Sequence, residues 1–164
     1  MSEPAVELVE AVELSFAELY ERERAPLVRL ALAMVGDLAV AEELVQEAFA
    51  QTHLRWGRLR NPGAYVRTSV VNGCRSEWRR RAARRRAAGH RVHQTDVMLP
   101  ADPADDAVRR AVAALPPRRR AVVVLRFYED LSEPVIAGIL GVRVGTVKST
   151  LSRALEQLRE VMEP

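Results

Sequence analysis

The sequence is poor in several residue types, and each shortage excludes a class of protein. One cysteine, Cys74, is present, so no intramolecular disulfide can form and a secreted, disulfide-stabilised scaffold is excluded. Aromatic residues make up only 5% of the 164 residues, which favours closely packed helices over a sheet of large side chains. No apolar run approaches the ~18 residues that cross a bilayer. Because the N-terminus carries Glu3, Glu7, Glu10 and Glu13 where a signal peptide is positive, the sequence predicts a cytoplasmic protein without membrane insertion.

Glycine-rich loops and metal-ligand spacings are also missing. The 8 glycines form neither a phosphate-binding nor a dinucleotide-binding loop. Cys74, His90 and His93 lack the spacing of a zinc site, and no serine lies in a nucleophile-elbow context. The sequence therefore predicts neither catalysis nor a cofactor.

The spacing of apolar residues divides the chain into four parts. Apolar residues recur at helical intervals over 15–81, with a third helix ending near Arg81, and again over 107–162. Residues 82–106 have no sustained apolar period and change from basic to acidic, which is typical of a linker. Residues 1–14 form an acidic leader. The sequence thus predicts an all-α protein of two small helical domains joined by a flexible linker.

The segment that follows Leu131 has the spacing of a helix-turn-helix. Ser132 can cap a first helix, Gly141 supplies the positive φ of a tight turn, and Val147 can pack back on the first helix. This spacing is typical of a second helix that lies in a DNA major groove. A helical hairpin with a solvated polar face is the alternative, but it does not explain why the outward face has no acid from Thr146 to Leu155. That face consists of Thr146, Lys148, Ser149, Ser152 and Arg153.

The third helix combines arginines with aromatic residues. Such a surface suits single-stranded or partly melted nucleic acid, because rings stack on unpaired bases while arginine neutralises phosphate. Asn72 and Ser76 can read base edges. The alternative is that the aromatic residues belong to the core and the arginines form a solvated helix end, and the spacing leaves both interpretations open. The candidates are Tyr65, Arg67, Asn72, Arg75, Ser76, Trp78, Arg79, Arg80 and Arg81.

The second helix has an acidic face. Glu43 and Glu47 lie four residues apart without compensating cations, and like charges so placed slightly destabilise a helix. A surface that binds a partner explains why this arrangement is tolerated, and a merely solvated helix face explains it equally well.

Four blocks of the sequence, taken together, carry a family resemblance. They are Gly36–Glu47, Asn61–Arg67, Ala114–Glu133 and Val144–Ser149. With these blocks the chain resembles the bacterial extracytoplasmic-function (group four) RNA polymerase sigma factors, most of all their small actinobacterial SigE-type members. The resemblance covers about 15–81 and 105–160 of the chain. It implies a sigma factor that binds core RNA polymerase, recognises promoter elements and promotes their melting, without catalytic activity of its own.

The resemblance also implies which residues contact the polymerase. The acidic helix is similar to the part of region 2 that docks on the clamp helices of the polymerase β′ subunit, and Leu115–Tyr128 is similar to the part of region 4 near the β flap. The implied clamp contacts are Glu42, Glu43, Leu44, Gln46 and Glu47. An anti-sigma factor is a further partner that the family admits.

The resemblance also implies which residues contact the two promoter elements. The third helix is similar to the part of region 2 that captures the melted minus-10 element, and the helix-turn-helix to the part of region 4 that reads the minus-35 element as duplex. The implied minus-10 contacts are Tyr65, Arg67, Asn72, Arg75, Ser76, Trp78, Arg79 and Arg80. The implied minus-35 contacts are Ser132, Arg143, Thr146, Lys148, Ser149, Ser152 and Arg153.

The chain departs from the family pattern at a few positions. Val135 stands where members usually carry glutamate, so a capping-box partner for Ser132 is missing. Thr150 and Ser152 replace larger polar or basic residues, so the preferred minus-35 sequence of the family does not transfer to this chain.

Two other functions compete with the interpretation as a sigma factor. One is a one-component helix-turn-helix regulator that binds a palindromic duplex by itself. The other is an adaptor whose arginine-rich helix binds RNA or anionic lipid.

Overall fold

The computed structural model describes residues 14–89 and 103–162. All but the last residue of the acidic leader, and residues 90–102 of the predicted linker, lie outside these ranges. Within them all regular structure is helical, as predicted. The α-helices are α1 (Phe16–Val35), α2 (Leu38–Leu54), α3 (Pro62–Ala88), α4 (Pro103–Ala113), α5 (Pro117–Val123), α6 (Glu133–Leu140) and α7 (Val144–Met162), with a 3-10 turn at Trp56–Arg58 and a π turn at Val124–Tyr128.

Side-chain caps explain where the first two helices begin and end. The Glu18 N–H donates to Ser15 Oγ at 3.2 Å and the Ser15 N–H donates to Glu18 Oε2 at 2.7 Å, which is a capping box. The bond from the Ser15 N–H lowers the pKa of the Glu18 carboxyl. Gly36, at φ 72°, ends α1, and Asp37 starts α2 by accepting from the Val40 N–H at 3.1 Å. Gly36 and Asp37 therefore form the boundary between α1 and α2.

The helix α3 continues to Ala88, about two turns beyond the predicted end at Arg81. Glu77 is only 6% exposed and accepts from Arg81 Nε at 2.8 Å and from Arg84 Nη2 at 3.0 Å, which ties the last turns together. Alanine and arginine are strong helix formers even where no apolar period marks a helix. Gly89, at φ 63°, ends the helix. The first part of the predicted linker is therefore helical.

The first domain is built by α1, α2 and α3, which pack pairwise around an aliphatic core. Cys74 lies in this core, and burial raises the pKa of its thiol to about 12, so the cysteine is chemically inert near neutral pH. The largest fully buried side chains of the domain are Leu19, Leu27, Leu30, Met34, Val45, Val66, Val70 and Val71.

The second domain contains α4 to α7, and α5 passes directly into the π turn. There the Glu129 N–H donates to the Val124 carbonyl at 3.2 Å, one residue farther than in an α-helix. The turn leaves Phe127 61% exposed and Tyr128 49% exposed. Between α4, α5 and α7 lies a small core of Leu115, Val123 and Ala154.

The two domains pack against each other at the C-terminal end of α1. The Met34 carbonyl accepts from Trp78 Nε1 and from Arg120 Nη1, both at 3.1 Å. The Val35 carbonyl accepts from Arg81 Nη1 at 2.7 Å. A helix end leaves such carbonyls without partners, and α1 has no basic residue in its own last turn. Side chains from both domains therefore complete the end of α1.

Arg120 links three segments through one guanidinium group. Besides Met34, it donates to the carbonyl of Leu115 at 3.2 Å and to that of Ala113, both at the turn between α4 and α5. The residue is only 6% exposed, and burial lowers the pKa of Arg120. Its charge is thus compensated chiefly by backbone carbonyl dipoles.

The start of α6 differs from the prediction. Ser132 occupies the N-cap position, but its hydroxyl makes no capping hydrogen bond. Pro134 has no N–H to donate, and Val135 cannot supply the reciprocal bond of a capping box. The predicted side-chain cap is therefore wrong, although the Ser132 carbonyl accepts from the Ile136 N–H at 3.0 Å.

No single helix in the described ranges is long and apolar enough to cross a membrane. Only α6 and α7 taken together pass a test of length and composition, and the chain bends by 104° between them.

Substituting Arg120 tests the guanidinium link. Arg120→Met roughly keeps the side-chain volume but leaves the carbonyls of Ala113 and Leu115 without this donor, while the Met34 carbonyl keeps its bond from Trp78. We expect the free energy of unfolding to fall by about 2–4 kcal/mol, since each buried unsatisfied group costs about 1–3 kcal/mol. Urea unfolding followed by circular dichroism measures the loss. The matched variant Arg118→Met changes an exposed arginine of the same helix and should stay within about 0.5 kcal/mol of wild type; equal losses would contradict the account.

Two variants test which N-cap side chains stabilise the start of their helix. Asp37→Ala removes a side-chain cap and should lower the free energy of unfolding by about 1 kcal/mol. Ser132→Ala removes a hydroxyl that caps nothing and should change that energy by less than about 0.5 kcal/mol. The same urea titration compares them, and a Ser132→Ala loss as large as that of Asp37→Ala would show that the hydroxyl does cap α6.

Candidate nucleic-acid interface

The turn between α6 and α7 has the geometry of a helix-turn-helix. Gly141, at φ 65°, ends α6. The Val142 N–H donates to the Ala137 carbonyl at 3.0 Å and the Gly141 N–H to the Gly138 carbonyl at 3.4 Å, which together form a Schellman motif. Val147 is fully buried, as its spacing predicted. The bend of 104° between the helices lies within the range of DNA-binding helix-turn-helix units.

One face of α7 is polar and exposed, and it carries no acid of its own helix from Thr146 to Leu155. Glu156 follows on the same side of the helix, and Glu133 Oε2 of α6 lies 3.9 Å from Lys148 Nζ. The buried stripe of α7 contains Val147 and Ala154, both 0% exposed. At about 100° per residue, the predicted contact residues span about 160° on the opposite side of the helix. Arg143 lies in the turn, where its carbonyl accepts from the backbone of Thr146 and Val147 and its side chain is exposed. The exposed residues of this face are Thr146, Lys148, Ser149, Ser152 and Arg153.

Six of the predicted minus-10 residues share one face of α3. At about 100° per residue they cover about 140° of the helix circumference. Arg79 Nη2 donates to Ser76 Oγ at 3.0 Å, and Arg80 Nη2 lies 3.0 Å from Glu77 Oε2. The face therefore carries three guanidinium groups with one hydroxyl, one amide and one ring. Its members are Tyr65, Asn72, Arg75, Ser76, Arg79 and Arg80.

The other two predicted residues, Arg67 and Trp78, lie on a different side of α3. They are three turns apart and about 200–220° from Tyr65 around the helix. Trp78 is half-buried and donates to Met34, so it holds α3 against α1. Arg67 Nε lies 3.0 Å from Glu129 Oε2 of the second domain. The structure therefore separates these two side chains from the rest of the set.

The end of α2 and the 3-10 turn add three arginines that the sequence analysis did not select. Arg55, Arg58 and Arg60 are exposed within six consecutive residues that contain no acid. Arg55 Nη1 donates to Tyr65 Oη at 2.7 Å, and its guanidinium lies 5.8 Å from the centre of the Tyr65 ring. The cluster thus continues the basic face of α3. Its signal in the sequence is three arginines within six residues.

The acidic face of α2 is exposed at the surface. Glu42, Glu43, Gln46 and Glu47 are all exposed, and at about 100° per residue they span about 140° of the helix. The Leu44 side chain points towards α3. It lies so close to Gly73 of that helix that a Cβ atom added to Gly73 would be 3.1 Å from Leu44 Cδ2. Its side chain is half-buried and holds α2 on α3.

Comparisons with known proteins identify the family of the chain. Residues 19–84 match the family model described as Sigma-70 region 2, and residues 105–158 match the one described as Sigma-70, region 4. The chain is 36% identical over 160 residues to the RNA polymerase sigma-E factor of Streptomyces coelicolor, an alignment that covers 90% of this chain and 85% of that protein. It is 30% identical over 151 residues to the ECF RNA polymerase sigma factor SigM of Mycobacterium tuberculosis, with 90% and 77% covered.

A solved structure shares the fold. The sigma factor RpoE from Bartonella quintana, determined in complex with the anti-sigma factor NepR, superposes with a TM-score of 0.78 at 22% identity, covering 90% of this chain and 96% of that one. The two sigma-70 regions thus occur in order along one chain, each on its own group of helices. On this evidence the chain belongs to the extracytoplasmic-function RNA polymerase sigma factors, which recognise promoters in transcription initiation and are not enzymes.

Proposed function

We propose that three surfaces of this chain divide the work of initiation. The exposed face of α7 reads the minus-35 element as duplex, the basic face of α3 binds the opened minus-10 element, and the acidic face of α2 binds core polymerase. The observation that carries the proposal is the presence of two different surfaces suited to nucleic acid on one chain. One is a polar face on the second helix of a helix-turn-helix, and the other is built from arginines around the Tyr65 ring. A one-component regulator needs only the first.

The face of α7 suits contacts with duplex DNA. Its hydroxyls can contact either base edges or phosphates, and Arg153 and Lys148 can contact guanine edges or phosphates. Ser132 and Arg143 are exposed at the two helix starts, where side chains reach the backbone of the duplex. We assign to this surface Ser132, Arg143, Thr146, Lys148, Ser149, Ser152 and Arg153.

The face of α3 suits an opened strand. The Tyr65 ring is placed to stack on an unpaired base, with Arg55 beside it to meet the phosphate. A protein that binds melted DNA more tightly than duplex shifts the melting equilibrium, so it promotes opening without hydrolysing a nucleotide. We assign to this surface Tyr65, Asn72, Arg75, Ser76, Arg79 and Arg80, with Arg55, Arg58 and Arg60. Trp78 contributes by holding α3 in place. Arg67 is paired with Glu129 on the other side of α3, so we do not assign it to this surface.

The acidic face of α2 suits a basic protein surface. Glu42, Glu43, Gln46 and Glu47 are exposed and not enclosed by their own domain, so they can meet the clamp helices of the polymerase β′ subunit. Leu44 supports this surface by fixing α2 on α3. A chain that works with core polymerase and promoter DNA acts in the cytoplasm.

An anti-sigma factor is a second proposed partner. A cleft of about 1360 Å³ lies between the two domains, with an apolar lining and an arginine-rich rim. A helix with one apolar and one acidic face fits that chemistry, and the neighbouring RpoE structure is itself a complex with an anti-sigma factor. The rim includes Arg29, Arg81, Arg84, Arg85 and Arg110.

Reversing one charge on α2 tests the polymerase surface. Glu47→Lys should weaken association with bacterial core RNA polymerase about tenfold, or about 1.4 kcal/mol, because it removes an attraction and adds a repulsion. Co-elution and fluorescence titration, in the absence of DNA, measure the affinity. Glu160→Lys makes the same charge change at an exposed site of α7 and should leave the affinity unchanged. If the wild-type chain bound duplex DNA tightly and did not bind core polymerase, the one-component regulator would replace this proposal.

Removing one cation from α7 tests the duplex surface. Holoenzyme reconstituted with this chain first selects its promoters from genomic fragments. Arg153→Ala should then weaken binding to a selected promoter by about 1–3 kcal/mol. The variant should lose preference for the bases of the minus-35 element and keep its preference for those of the minus-10 element. Arg159→Ala, an exposed arginine nearer the end of the same helix, should cost much less. Equal losses for the two variants would mean that Arg153 supplies only general positive charge.

A further inference from the structure

Four side chains form a continuous hydrogen-bond network from the acidic face of α2 to the start of α3. Gln51 Nε2 donates to Glu47 Oε1 at 2.9 Å, and Arg55 Nη1 donates to Gln51 Oε1 at 3.0 Å. The same Arg55 nitrogen donates to Tyr65 Oη at 2.7 Å. Glu47 belongs to the proposed polymerase surface and Tyr65 to the proposed minus-10 surface. Gln51 is assigned to neither surface and lies between them.

The spacing of these residues explains why the network forms. Glu47, Gln51 and Arg55 follow one another at intervals of four residues, which places them on one side of α2. Arg55 comes directly after the end of α2, and Tyr65 lies in the first turn of α3. The bond between Arg55 and Tyr65 therefore joins two helix ends that are ten residues apart in the sequence.

Gln51 fixes the orientation of the Arg55 side chain. An amide group has a donating end and an accepting end, and an ionised carboxylate can only accept. The donating end of Gln51 therefore points to Glu47, and its accepting end faces Arg55. An arginine side chain has many rotamers, and holding it in one of them before binding reduces the conformational entropy that is lost when a ligand binds.

The bonds of Arg55 leave one edge of its guanidinium group for a ligand. Both bonds use Nη1, which has two hydrogens, so neither of them uses the edge formed by Nε and Nη2. Such an edge can bind a phosphate through two hydrogen bonds. The guanidinium also lies 5.8 Å from the centre of the Tyr65 ring, within the range of a cation–π contact. A nucleotide whose base stacks on Tyr65 can therefore place its phosphate on this edge of Arg55.

We propose that Gln51 is a positioning residue of the minus-10 surface: held by Glu47, it keeps Arg55 and Tyr65 in the conformation that binds an unpaired nucleotide. The inference rests on the proposed function, because it refines how the α3 surface takes the opened strand. It also gives Glu47 a second role. A carboxylate has two oxygens, so Oε1 can keep its bond from Gln51 while Oε2 meets a cation of the polymerase.

Binding to paired and unpaired promoter DNA tests the role of Gln51. A promoter fragment selected by the wild-type holoenzyme is prepared as full duplex and as a bubble, in which mismatches unpair the minus-10 element. Fluorescence anisotropy with saturating core polymerase gives the ratio of the two affinities, the bubble preference. Gln51→Ala should lower this preference about fivefold, the effect of losing one hydrogen bond. Gln157→Ala removes another glutamine–arginine bond, to Arg119 at 2.7 Å in the second domain, and should leave the preference unchanged.

Two further comparisons separate positioning from a general structural effect. In an Arg55→Ala background Gln51 has no arginine to hold, so adding Gln51→Ala should lower the bubble preference no further. Glu47→Gln keeps an oxygen that can accept from Gln51 and should preserve the preference, whereas Glu47→Ala removes that oxygen and should lower the preference about fivefold. Both Glu47 variants should weaken association with core polymerase, because both remove a charge.

Two results would overturn the positioning role: a Gln51→Ala holoenzyme that keeps the full bubble preference, or a loss from Gln51→Ala that is equal with and without Arg55. Alanine is a strong helix former, so α2 should stay folded, and circular dichroism checks this. Either result in a wild type that does prefer the bubble refutes the positioning role and leaves the proposed function standing. A wild-type chain that binds core polymerase without preferring the bubble refutes the proposed α3 surface and the positioning role together.

Discussion

The last turn of α1 is the point at which the two domains meet. Its carbonyls at Met34 and Val35 have no partner within the helix and accept hydrogen bonds from Trp78, Arg81 and Arg120. Two of these donors belong to α3 and the third to α5. Because an unsatisfied buried carbonyl costs about 1–3 kcal/mol, and because cations favour the negative end of a helix, this turn fixes α3 against α1 and the second domain against both.

The structure divides the arginines of this chain into two groups. All but one of its 25 basic residues are arginine, so composition alone does not show which of them serve the fold. Some are held by acids or carbonyls inside the protein, as Arg81 and Arg84 are by Glu77 and Arg120 is by the α1 end. Others, such as Arg58 and Arg153, are exposed at the surface. The second group is the one available to nucleic acid.

Local features were predictable from the sequence, and contacts between distant residues were not. Gly141 marks a helix end because only its own backbone conformation matters, and the sequence placed it correctly. The end of α3 was missed because alanine and arginine extend a helix without an apolar period. The sequence alone could have shown that Trp78 and Tyr65 lie on different sides of α3, because 13 residues rotate a helix by about 220° beyond three whole turns. The pairing of Arg67 with Glu129 has no such signal, because it forms only when two domains pack.

The central claim is that this chain works in transcription initiation through an acidic face of α2 that binds core polymerase and two further faces, on α3 and α7, that bind promoter DNA. The most direct measurement is the association of the purified full-length chain with bacterial core RNA polymerase in the absence of DNA. The account predicts association that high salt weakens. A chain that does not bind core polymerase and binds duplex DNA tightly by itself would contradict it.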